Sequence, residues 1–154
     1  STVGLLPGIQ RLGIDHPQVN LAISLHAPDD ALRKQLVPVP GASLRELVTA
    51  AHAHVSATGR RVSFEYVLLA GLNDAPAQAR ALGVLLRGLN CHVNLIPINP
   101  SPGVLGERPS RTATLAFQSA LTEAGISATV RVEKGRDIFA ACGQLRGDRV
   151  ESRS

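Results

Sequence analysis

The sequence predicts an α/β fold: about half of a (β/α) barrel, or a small open α/β sheet. Three observations carry this. Short apolar runs alternate with segments of helical period, the alternation that builds a parallel sheet covered by helices. The first run, residues 19–25 (VNLAISL), is nearly continuous in apolar character, as in a strand buried on both faces. Finally, only four such runs fit into the 154 residues, too few for an eight-fold barrel.

The elements follow in order. After the first strand, Asp29 and Asp30 are good caps for a short helix through Leu36, which Pro38 and Pro40 end. Ser43 and Glu46 have the spacing of a capping box for a second helix. Its apolar stripe is Leu44, Leu47, Val48, Ala51 and Val55, and Gly59 closes it. His52 and His54 are expected on its exposed or boundary face. Residues 61–69 (RVSFEYVLL) make the second strand, 71–74 a turn, and Pro76 opens a helix with Ala79, Leu82, Leu85 and Leu86 inward. Residues 91–98 (CHVNLIPI) make the third strand, and the proline-rich stretch 99–109 is loop. Residues 111–124 read as a helix with Leu115, Phe117, Ala120 and Leu121 as its apolar positions, 127–132 as the fourth strand, and 138–145 as a short helix or turn. One domain over 1–148 and a loose polar tail over 149–154 are expected. Ser1 to Gly4 reads as the inside of a loop. Met is absent, including at position 1, so a segment of a longer product is expected.

Composition narrows the classes. An apolar share of 44% excludes a disordered tail. No apolar run approaches the ~20 residues of a membrane span, and no signal peptide opens the chain. Cys91 and Cys142 are too few for a disulfide framework and cannot form a metal site alone, so a reduced, cytoplasmic setting is expected. The net charge is +4, with fourteen Arg against two Lys. That bias fits an Arg-favouring codon usage, and it also fits a polyanionic partner, because guanidinium forks match phosphate. No aromatic residues interleave the basic ones, so no stacking platform for single strands is visible.

In parallel α/β folds chemistry gathers at the carboxyl ends of strands. That rule singles out Ser24-Leu25-His26, the Asn73-Asp74 turn, Asn99, and the segment 135–142. His26 has the chemistry of a general acid or base near neutral pH, or of a satisfied loop histidine. Glu65 lies within an apolar strand, and a carboxylate there needs a polar cavity or a partner; a cavity wall is the favoured reading. Asn94 raises the same question. Asn99, next to Pro100, can give and accept hydrogen bonds to a carboxylate, ribose or base edge, or can close an Asx turn. Cys142, in AACGQL, has small neighbours with Lys134 and Arg136 nearby, a setting that lowers a thiol pKa; a buried structural cysteine is the alternative. Cys91 reads as structural.

Seven stretches in order resemble one family. They are Ser1-Thr2-x-Gly4, LAISLHAPDD (21–30), LVPV (36–39), FEYVLLAGLND (64–74), VNLIPINP (93–100), TVR (129–131) and AACGQL (140–145). Together they resemble the carboxyl-terminal half of the RlmN/Cfr family of radical S-adenosylmethionine RNA methyltransferases. The resemblance implies a partial (β/α) barrel of the radical S-adenosylmethionine type. It implies methylation of C2 of an adenine in 23S rRNA and in some tRNAs, by a cytoplasmic monomer without membrane contact. A 4Fe–4S cluster, its reductant and S-adenosylmethionine are implied as cofactors and partners. Ser1, Ser24, Leu25, His26 and Asn99 match positions that hold S-adenosylmethionine. Cys142 matches the cysteine that accepts a methyl group and becomes S-methylcysteine. A cluster-generated radical then activates that methyl for addition to C2.

The departures are specific. The family's C-x3-C-x2-C cluster ligands, its second catalytic cysteine and its glycine–glutamate segment do not occur among these residues, and neither cysteine here replaces them. By itself the chain is expected to be inactive. Ile98 and Phe139 differ from some relatives and would shift substrate fit. Two alternatives stay open: the C8-specific adenine methylation of the same family, and a non-catalytic RNA-binding remnant.

Overall fold

The structure is a computed structural model describing Thr2 and residues 4–131. Its elements run α1 (Leu6–Asp15), β1 (Ala22–Ser24), α2 (Asp30–Leu36), α3 (Leu44–Thr58), β2 (Val62–Leu68), α4 (Pro76–Leu85), β3 (Cys91–Pro97), α5 (Arg111–Glu123) and β4 (Ser127–Val130). The strands form one sheet in the order β1-β2-β3-β4, every pair parallel.

That order decides where the site lies. Parallel strands laid down in sequence order, joined by crossovers of one hand, place all their connecting helices on the same face. Leu21, Ile23 and Leu25, then Val62, Phe64, Tyr66 and Leu68, then Cys91, Val93 and Leu95 point to that face and form the main core with α1, α3, α4 and α5. Tyr66 and Phe117 meet at its centre, ring centroids 5.1 Å apart.

The alternate residues point to the opposite face, and the register aligns them. Ser24, Glu65, Asn94 and Thr129 lie side by side in one row, and Ala22, Ser63, His92 and Ser127 in the next. A parallel sheet is normally covered on both sides by apolar layers. Here the second face is polar along its middle, the pattern of a barrel interior rather than of an open two-layer sheet. The radical-type partial barrel expected from the sequence has this shape.

Local signals explain most boundaries. Ser43 Oγ accepts from Glu46 N at 3.2 Å and Glu46 Oε2 accepts from Ser43 N at 2.8 Å, completing the expected capping box. Gly59 ends α3 in the left-handed conformation. Ser110 caps α5 at Ala113 N.

Four expectations are corrected. The first strand is only Ala22–Ser24: Val19 is exposed, in a turn closed by its N–H on the His16 carbonyl. The start of the chain is not simply loop, because Thr2 bridges Ile23 in parallel and α1 follows it. Leu115 is exposed and Thr114 takes its inward place. His54 is buried, not at a boundary. Residues 138–145 and 149–154 lie outside the described residues.

Candidate functional site at the carboxyl ends of the strands

β1 delivers Ser24, Leu25 and His26 to the carboxyl end of the sheet. Pairing continues one residue past the strand, with Leu25 N donating to Glu65 O at 2.9 Å. The Leu25 side chain enters the core, so only its backbone faces the strand end. His26 then turns sharply, with φ +62°, the one positive value at a non-glycine residue among the described residues. That conformation is costly for a residue with a Cβ, and two side chains hold it.

Arg33 is the first. Asp29 caps α2 by accepting from Leu32 N at 2.8 Å, which sets the first turn. From it the Arg33 side chain reaches back to the strand. Its Nε donates to Leu25 O at 3.1 Å and its Nη2 to Ser24 O at 3.0 Å. The last carbonyls of a strand need partners when buried, and this guanidinium supplies them.

Asn73 is the second, and it is fully buried. Its Nδ2 donates to His26 O at 2.8 Å and to Val67 O at 2.7 Å. Its Oδ1 accepts from Leu69 N at 2.7 Å. Tyr66 Oη donates to the Asn73 carbonyl at 2.8 Å. The turn after β2 is thereby tied to the tip of β1.

The His26 ring is itself engaged. Nδ1 accepts from Val67 N at 3.0 Å. Burial, reinforced by the Arg33 charge, pushes its pKa down to about 3. The imidazole is therefore neutral at physiological pH. This corrects the general acid–base reading, which needs a group that titrates near neutrality.

Asn99 follows β3. Arg108 Nη1 donates to its Oδ1, so the proline-rich loop fixes the amide. Ala70 N donates to Glu107 O at 2.9 Å, folding that loop over the end of β2. Beneath these residues, Ala27, Val67, Leu69, Ile96 and Ile98 form one apolar floor with Leu36 and Val37. The ends of β1, β2 and β3 thus share this floor, with Ser24 and His26, both buried, at the end of β1 and Asn99 at the end of β3. Ser1 and Cys142 lie outside the described residues.

Below the strand ends, the polar row is internally bonded. Asn94 Nδ2 donates to Glu65 Oε1 at 3.0 Å and Thr129 Oγ1 donates to Asn94 Oδ1 at 3.1 Å. His92 lies 2.9 Å from Thr129 Oγ1 through Nε2 and 2.7 Å from Ser127 Oγ through Nδ1. A carboxylate only accepts, so the directions follow: Asn94 donates to Glu65, Thr129 to Asn94, His92 to Thr129, and Ser127 to His92. Glu65 Oε2 forms no hydrogen bond and lies 3.8 Å from Arg131 Nη1. Glu65 thus has both a polar neighbour, Asn94, and an arginine beside it, Arg131, the partner that is one of the two readings the sequence offers.

Cys91 is buried in the core, and burial pushes its thiol up to about 11, so it is inert near neutral pH. Two cysteines in the whole chain cannot supply three thiolates to an iron–sulfur cluster, and no group of three His, Cys, Asp or Glu suited to a metal occurs among the described residues. The strand ends instead offer neutral donors and acceptors, which suit a polar organic molecule. A cavity of about 650 Å³ behind Arg33, lined by Asp30, Lys34, Pro40 and Glu46 among others, does not include the strand-end candidates. Arg33 and Asn73 were not assigned from the sequence: no local pattern marks Arg33, and Asn73 carried only its place in a turn after a strand.

Comparison with known proteins shows what the chain is similar to. No family model matches the chain. It is 50% identical over 151 residues to the ribosomal RNA large subunit methyltransferase N of Nitrosopumilus maritimus, covering 97% of the chain and 43% of that protein. It is 54% identical to a probable dual-specificity RNA methyltransferase RlmN of Roseiflexus sp. (strain RS-1), covering 97% of the chain and 40% of that protein. The crystal structure of a radical SAM methyltransferase from Sphaerobacter thermophilus superposes with a TM-score of 0.83 at 52% identity, over 95% of the chain and 43% of that protein. The chain spans less than half the length of each.

Proposed function

The chain belongs with the RlmN methyltransferases, matching their carboxyl-terminal part, and on that premise we propose that it supplies a substrate-binding wall and the methyl-accepting thiol of a full-length enzyme that methylates C2 of adenine in 23S rRNA and tRNA. The observation supporting this most directly is the polar row on the sheet face away from the helices, in which Ser24 lies beside Glu65 and Asn94, with His26 just past the end of β1 and Asn99 just past the end of β3. Such a surface fits S-adenosylmethionine, whose ribose, carboxylate and adenine present both donors and acceptors. Ser24, the Leu25 backbone, His26 and Asn99 would hold it, together with Ser1.

Cys142 is the nucleophile in this reading. Its thiolate attacks the methyl carbon of the sulfonium. A thioether S–C bond forms, the sulfonium C–S bond breaks with its electron pair going to sulfur, and S-adenosylhomocysteine leaves. Adenine C2 is electron-poor and has no lone pair to attack a methyl cation, so the methyl must be carried on sulfur and activated there. The cluster that supplies radical activation does not fit the two cysteines of this chain, and its ligands are assigned to no residue here. The target base would reach the open face by leaving its helical stack, and the Arg-rich composition suits the surrounding phosphates.

The test uses the full-length enzyme isolated from cells. Peptide mass spectrometry should find a methyl thioether at Cys142, and Cys142→Ala should abolish RNA methylation while leaving cluster content unchanged. Normal methylation by Cys142→Ala overturns the covalent route. A methyl mapped to C8 of the same adenine overturns the C2 assignment.

A further inference from the structure

Two residues at the strand ends form a device that the S-adenosylmethionine reading alone does not require. His26 Nδ1 is occupied as an acceptor, 3.0 Å from the Val67 N–H. An imidazole nitrogen that accepts has no proton, so the ring proton sits on Nε2. Nothing among the described residues hydrogen-bonds Nε2. The ring therefore presents one N–H donor with its direction set by the backbone of β2.

That direction depends on Asn73. Its two amide hydrogens span the His26 and Val67 carbonyls at 2.8 and 2.7 Å, the residue that carries the ring and the residue whose N–H donates to it. Its Oδ1 takes the Leu69 N–H at 2.7 Å. The amide uses its whole donor capacity, and no shorter or charged side chain reproduces the set. Arg33 on α2 is the charged group facing the ring. From β2, the Tyr66 hydroxyl is committed to the Asn73 carbonyl.

We propose that Asn73 is a positioning residue that locks His26 in its Nε2–H tautomer, making the imidazole a permanent hydrogen-bond donor to an acceptor atom of S-adenosylmethionine and not a proton carrier. The proposal rests on the S-adenosylmethionine reading above. Burial and the Arg33 charge, which keep the ring neutral, act in the same sense. A donor of this kind grips its ligand equally well across the physiological pH range.

The experiment has two readouts on the full-length enzyme. Nitrogen-15 spectra of histidine-labelled protein should show Nδ1 unprotonated and Nε2 protonated for His26, with no titration between pH 5.5 and pH 8. A titration in that window, or a proton on Nδ1, overturns the proposal. Equilibrium binding of S-adenosylmethionine is the second. His26→Asn keeps an acceptor near Nδ1 but loses the distal donor, and should weaken binding about tenfold, the loss of one ordinary hydrogen bond. His26→Gln keeps a distal N–H and should recover most of it. Asn73→Ser should raise the apparent KM for S-adenosylmethionine more than it lowers kcat; an effect on kcat alone counts against it. Should Asn73→Ser fail to fold, Asn73→Asp takes its place: it keeps the Oδ1 acceptor for Leu69 N but loses both amide donors, and an unchanged KM for S-adenosylmethionine in it overturns the role of Asn73. If His26→Asn binds like the parent enzyme, the proposal fails while the S-adenosylmethionine reading stands. If the parent enzyme binds none, that reading itself fails.

Discussion

His54 sits in α3 with both ring nitrogens buried and unpartnered, and desolvation lowers its pKa. It falls on the stripe of Leu44, Leu47 and Ala51 at helical spacing, so periodicity alone places it inside. Its polar chemistry argues for the boundary, and here position overrode chemistry. A histidine held neutral in the fold but basic when unfolded binds its proton first in the unfolded chain. Stability from His54 and His26 is therefore complete above the unfolded value of about 6.5 and is lost as pH falls below it. His54→Leu should flatten that acid limb and raise stability by about 1 kcal/mol, since an apolar replacement removes orphaned nitrogens. Urea unfolding at pH 5 and pH 7.5 checks both; an unchanged acid limb counts against the assignment. At this scale the strand-end rule pointed to His26, Asn99 and the Asn73-Asp74 turn, but it gave Asn73 no role and missed Arg33, and it is Asn73 and Arg33 that hold the strand tip. Those two act by filling backbone hydrogen bonds, a task that no sequence pattern announces.

At the scale of elements, the predicted second and third strands match within a residue at each end, because β-branched and aromatic runs bounded by glycine and proline admit few registers. α1 went unpredicted. Pro7, Gly8 and Gly13 make LPGIQRLGID look like loop, yet Leu6, Ile9 and Leu12 reach the core shared with α3. Packing overrode propensity. Thr2 helps start it, its Oγ1 accepting from Gly4 N at 3.2 Å and Leu5 N at 3.3 Å. Gly83 shows the converse. Exchanging glycine for alanine inside a helix ordinarily stabilises by up to about 1 kcal/mol. A Cβ at Gly83, however, would stand 2.5 Å from Ala124 Cβ, where the end of α5 passes α4. Gly83→Ala should therefore destabilise by about 1–3 kcal/mol as the two helices are forced apart. A raised melting temperature would show that the approach is looser than described.

For the whole molecule, strand order fixed the layout: helices on one side, polar rows on the other. Alternating apolar and helical segments made the parallel sheet legible. The row Ser24-Glu65-Asn94-Thr129 was not, since it exists only once three pairings are in register. Among the described residues β4 has no partner on its outer side, and an exposed strand edge is a template for further pairing. Expressed by itself, the chain should self-associate with rising concentration in sedimentation velocity; a monomer at every concentration would contradict this. The bonded row has one last consequence. Because Ser127, His92, Thr129 and Asn94 all donate in one sense toward Glu65, no single member can rotate without breaking its neighbours' bonds. The wall behaves as a frozen array of aligned dipoles. A molecule entering along it meets a field already set, without waiting for surroundings to reorient.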